Sequence, residues 1–212
     1  MDSAHPSIET PEDPRIAQVL DYWFGDATQL GIPGVEKAMD LWFGGTDAID
    51  RDIEKRFLPL MDQAALGRLD PWARTPRGTL AIIVLLDQFS LNVYRDQPRS
   101  FTQAHRALPY ALAAIRNGQH LKLEPLQRTF VYLPLEHAED IYLQNEALEL
   151  FSQLVDDVEE AQRPMFESFL DFAERHQRVI KRFGRFPDRN PILGRVHMPE
   201  EEAYMRNGGP DF

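Results

Sequence analysis

The chain has 212 residues, of which 43% are hydrophobic and 27% charged, and its 34 acidic side chains outnumber 23 basic ones for a net charge of −11. Those proportions belong to a globular protein with a real core, and they exclude disordered and fibrous classes. No cysteine is present, so disulfides, zinc–thiolate sites, iron–sulfur clusters and thiol nucleophiles are excluded, and the acidic balance disfavours a general nucleic-acid binder.

The N-terminus (Met1 to Pro6) has neither the basic patch nor the apolar run of a signal peptide, and the longest apolar run, Leu80 to Leu86, is too short to span a bilayer. A soluble, cytoplasmic protein without membrane or nucleic-acid partners is expected. Residues 1–12, with Pro6 and Pro11 among polar residues, read as a flexible arm, and 13–212 as one domain.

Asp13-Pro14 opens the first helix, whose Ile16, Val19, Leu20, Trp23 and Phe24 recur at helical spacing up to Gly25. A second short helix, from Glu36, ends in Trp42-Phe43-Gly44 just as the first ends in Trp23-Phe24-Gly25. The pair reads as two aromatic plugs at one end of the core. Thr46 caps a third helix reaching Leu66, and Thr75-Pro76 starts a fourth reaching Tyr94. Because Leu80 to Leu86 is apolar on every side, the fourth helix is expected at the centre; a buried strand there would lack β-rich partners. Further helices follow over 101–117, 125–132, 135–155, 164–183 and 199–206. Eight or nine helices with short loops predict an all-α, single compact array.

Four groups of polar residues could carry chemistry. Asp87, Gln88, Asn92 and Arg95 share one side of the fourth helix just beyond its apolar run, which puts them at the mouth of the core. Glu136, His137, Glu139 and Asp140 open the helix expected over 135–155, and His137 with Glu139 suits proton transfer. His176 lies on the apolar stripe of the 164–183 helix and is read as a core histidine able to face His137. Finally, Lys181 to Arg195 holds five basic residues against Asp188, a local charge of +4 in an acidic chain, with Phe183 and Phe186 as anchors. Such a loop attracts anions. No metal-ligand motif and no glycine-rich phosphate loop occurs, so no metal and no cofactor is expected.

The segments Trp72-Ala73-x-Thr75-Pro76-Arg77-Gly78, Leu86-Asp87-Gln88-Phe89-Ser90-x-Asn92-Val93-Tyr94-Arg95, Leu133-Pro134-Leu135-x-His137-x-Glu139 and Arg182-Phe183-Gly184-Arg185-Phe186-Pro187-x-Arg189-Asn190 resemble the bacterial domain-of-unknown-function 924 family over most of the chain. The resemblance implies an all-helical, tetratricopeptide-like superhelix and brings no activity with it. It departs from the family pattern at Leu91, where a basic residue is usual, and at Asp188, where a histidine is usual.

Two functional expectations follow. One is a small-molecule binding protein or enzyme whose pocket joins Asp87, His137 and Glu139 as catalytic groups to Gln88, Asn92, Arg95, Arg182, Arg185, Arg189 and Asn190 as ligand-binding groups. Its ligand would be an anionic metabolite clamped by Arg95 and Arg185, with Asp87, His137 and Arg185 bordering one common cavity. The other is a helical scaffold that binds a protein or peptide partner without catalysis.

Overall fold

The computed structural model describes residues 11–30 and 32–210, so most of the arm expected over 1–12 lies outside the described residues. Ten α-helices occur among them, with no strand: α1 (Pro14–Leu30), α2 (Ile32–Phe43), α3 (Asp47–Ala65), α4 (Pro76–Ile83), α5 (Phe89–Val93), α6 (Pro98–Arg116), α7 (Pro125–Glu136), α8 (Ile141–Asp157), α9 (Arg163–Phe183) and α10 (Pro199–Arg206). None is long and apolar enough to cross a membrane.

The centre is the run α4–α5. Thr75 caps α4 by accepting a hydrogen bond from the Gly78 N–H at 3.0 Å, and Pro76 occupies the first helical position. The helix then passes into one π-helical stretch, Val84–Gln88, before resuming as α5. Leu80 to Leu86 are all at most 1% exposed, walled in by α1, α3, α6 and α7. That is the burial an all-round apolar helix requires.

The two aromatic endings do meet. Trp42 donates from Nε1 to the Trp23 carbonyl at 2.9 Å, and both rings pack on Phe130 of α7. Several boundaries differ from the sequence reading; α2, for one, starts at Ile32 and not at Glu36, and α6 at Pro98 and not at 101. α1 continues past Gly25 to Leu30, because Ala27 prolongs its buried face and a mid-helix glycine costs only about 1 kcal/mol. α7 likewise runs through Pro134 to Glu136, and the helix expected over 135–155 starts only at Ile141. Asp140 sets that start by accepting hydrogen bonds from the N–H groups of Tyr142 and Leu143, leaving His137 to Glu139 in a tight connection.

Candidate functional site

The connection between α7 and α8 lies beside a cleft of about 530 Å³. One wall is a single face of α6, formed by Phe101, Ala104, His105 and Leu108. Pro134, His137, Glu139, Asp140 and Leu143 also line it, as do Leu91 of α5 and Arg189 and Leu193 of the basic loop.

Behind this surface sits Asp87, fully buried. The π-helical stretch carries it at the point where the apolar run of α4 ends, and such single π turns recur at functional sites. Its Oδ1 lies 2.8 Å from His137 Nδ1, and the Gln88 amide donates to its Oδ2 at 2.5 Å. A carboxylate at Nδ1 orients the imidazole and leaves Nε2 as the ring atom for other partners. Burial pulls the His137 pKa down, but the charge and hydrogen bond of Asp87, joined by the charge of Glu136, carry it above the ordinary imidazole value.

A second His–carboxylate pair lies deeper. His176 Nδ1 is 2.9 Å from the Phe172 carbonyl, which only accepts, so Nδ1 carries the proton; it is also 3.1 Å from Glu136 Oε1. Burial pushes Glu136 up to about 7 and His176 down to about 3. Near neutrality this pair is therefore mainly an uncharged contact and not an ion pair. The two imidazole rings, His137 and His176, are 6.2 Å apart, so the core histidine does face His137.

Arg189 differs from the other loop arginines. Its Nη1 donates to the His137 carbonyl at 2.9 Å, and its guanidinium lies over the rings of Phe186 and Phe101. Nε and Nη2 have no hydrogen-bond partner among the described residues, and no carboxylate stands within ion-pair distance. Burial lowers its pKa, against the charges of Asp188, Glu139 and Asp87, yet a guanidinium stays protonated at neutral pH.

The remaining expected residues are engaged elsewhere. Both oxygens of Glu139 are taken by Arg195, at 2.6 and 2.9 Å, and Oε1 also accepts from the Phe186 N–H. Burial alone would raise its pKa, but Arg195 brings it below the usual carboxyl value. Arg95 pairs with Asp50 of α3 and with Asn92, whose amide in turn donates to the Gln88 carbonyl. Arg185 is locked to buried Glu201 of α10 at 2.6 and 2.7 Å, and Asn190 joins that contact, reaching Glu201 and His197. Arg182 is exposed over Phe183 and Tyr204. Asp188 keeps one buried carboxyl oxygen without a hydrogen bond. The expected cavity bordered by Asp87, His137 and Arg185, with its clamp of Arg95 and Arg185, is thus not formed: Arg95 and Arg185 each hold their own carboxylate partner away from the cleft, and Asp87 is buried behind its lining, whereas His137 and Arg189 border it.

Sequence reasoning missed the pairing of Glu136 with His176, for which the inward placement of both residues was the available signal. Among the described residues no group of three or more His, Asp or Glu is arranged to hold a metal ion. A separate hollow of about 570 Å³ near Leu20 and Phe166 mixes Arg77 and Lys122 with Asp21 and Glu124, so it has no dominant charge.

No curated protein matches the chain. It is similar in structure to a protein of unknown function, ATU0120 from Agrobacterium tumefaciens, with a TM-score of 0.76 and 33% identity over 92% of this chain and 98% of that one. The family model described as a bacterial protein of unknown function, DUF924, matches residues 19–209, and the chain belongs to that family.

Proposed function

We propose that the cleft between α6 and the α7–α8 connection binds a small anionic metabolite and that His137, oriented by Asp87, exchanges a proton with it. The observation that carries this reading is Arg189: a guanidinium with two uncommitted N–H-bearing nitrogens, lining a cleft and facing no carboxylate partner. A half-buried cation without a counter-ion is costly, and a bound anion removes that cost. Arg189 supplies charge and directional donors, and His137 supplies the proton-transfer group through Nε2. Glu139, saturated by Arg195 and a backbone N–H, positions the connection instead of moving protons.

Thermal-shift screening of the purified chain against carboxylates and phosphorylated metabolites tests the proposal. At least one anion class is expected to raise the melting temperature in the native protein and in Arg185→Ala, but not in Arg189→Met. Stabilisation that survives Arg189→Met removes the assignment. The rival reading, a protein or peptide scaffold, rests on the tetratricopeptide-like resemblance alone. It predicts a stoichiometric protein partner retained by His137→Gln and Arg189→Met.

A further inference from the structure

We propose that the ligand of this cleft is a small monocarboxylate with an apolar body, an inference that rests on the anion-binding reading above and names its chemical class. Around the cleft, Glu139 is neutralised by Arg195 and His137 is backed by Asp87, so their charges are already matched within the protein. Arg189 is the cation that no carboxylate pairs with directly, while Asp188 next to it in the chain and Asp140 on the same rim add negative charge nearby. A single guanidinium hemmed by carboxylates accommodates no more than a monoanion. A phosphate monoester dianion needs further cations, and Arg185 and Arg195 are committed elsewhere.

The lining points the same way: Phe101, Ala104 and Leu108 of α6, Leu143 of α8, Leu91 and Leu193 make it mainly apolar, with His105, His137, Glu139, Asp140 and Arg189 as its polar side chains. A polyhydroxylated body such as that of a sugar phosphate would leave its hydroxyl groups unpaired against these walls, whereas an aliphatic or aryl body is favoured by them. The shape of the donor agrees: with Nη1 held by the His137 carbonyl, Nε and Nη2 form the edge of Arg189 that is left, and a planar carboxylate matches such an edge.

The test is calorimetric titration of the full chain with acetate, hexanoate, benzoate, inorganic phosphate and a sugar phosphate. Hexanoate and benzoate are expected to bind at least about tenfold more tightly than acetate, since each added methylene is buried against apolar walls. Phosphate and the sugar phosphate are expected not to bind measurably. In Leu193→Ser the preference for hexanoate over acetate should shrink at least about threefold, and the melting temperature without ligand checks that this variant folds. Equal affinity for all carboxylates overturns the apolar-body assignment. Binding of phosphate or the sugar phosphate but of no carboxylate, abolished in Arg189→Met, overturns the class and keeps the anion site. Silence of all five probes overturns both.

Discussion

His137 is the residue on which the cleft chemistry turns, and its titration is predicted to be displaced. With Asp87 at Nδ1, the ring is expected to titrate above the ordinary imidazole value of about 6.5, followed by nuclear magnetic resonance of its ring protons. Asp87→Asn should bring it down, and an unchanged value would deny Asp87 its role.

The neighbouring pair gives stability its own pH profile. Glu136, raised to about 7, keeps its proton in the folded chain over a range where the unfolded chain has lost it, so its contribution is present at low pH and is lost as pH rises toward 7. His137 acts in the same sense above the ordinary imidazole value. His176, lowered to about 3, acts oppositely, because only the unfolded chain takes up its proton as pH falls from about 6.5 toward that value. His120, also lowered by burial, opposes the fall alongside His176, and both contributions fade above the ordinary imidazole value. Urea midpoints are therefore expected to fall from about pH 7 to pH 8, and Glu136→Gln should make that fall shallower near pH 7. A midpoint rising through that interval would contradict these directions. Asp87 and His137 were legible in the sequence because a carboxylate directly after seven apolar residues, and a histidine projected onto an apolar arc, stand out by position. Arg189 was not separable from Arg95 or Arg185 by composition; only the placement of Asp50 and Glu201 tells which arginines are already paired.

Among the elements, the start of α4 sets the depth of everything after it. A Cβ added at Gly78 would stand 2.1 Å from the Trp72 carbonyl oxygen and 2.9 Å from Thr75 Oγ1, so backbone would have to move. Gly78→Ala is expected to destabilise the protein by about 2 kcal/mol in urea unfolding, although in an open helix it would stabilise by about 1 kcal/mol. A neutral or stabilising result would mean that the turn before α4 is not tightly seated. Caps and apolar periodicity made most helices readable, but two features escaped that reading. The π-helical stretch departs from the regular turn on which Asp87, Gln88, Asn92 and Arg95 share one side. Pro134, which the sequence reading leaves between two helices, lies within the last turn of α7, which continues to Glu136 although proline has no N–H for the Phe130 carbonyl.

At the scale of the molecule, one apolar core extends from α1 to α9, and a small satellite of Val179, Ile180 and Phe186 holds the C-terminal segment. The single all-α array was legible because the apolar patterns outside Leu80 to Leu86 had helical period and left that run no β-rich partner. Convergence of distant motifs was only half legible: the α7–α8 connection and Arg189 meet at one cleft, whereas Arg185 fastens α10. Arg185→Ala should lower the urea midpoint by leaving the buried Glu201 carboxylate without its cation, and should leave anion binding intact. Loss of binding in that variant, with the fold retained, would place the ligand at the wrong arginine.

The most direct measurement follows the His137 ring signals while benzoate and, separately, inorganic phosphate are added to the full chain. With Arg189 and His137 bordering one anion site, at least one probe is expected to move the His137 signals saturably in the native protein and in Arg185→Ala, and to leave them in place in Arg189→Met. Signals unmoved by either probe, or moved equally in Arg189→Met, would contradict that site.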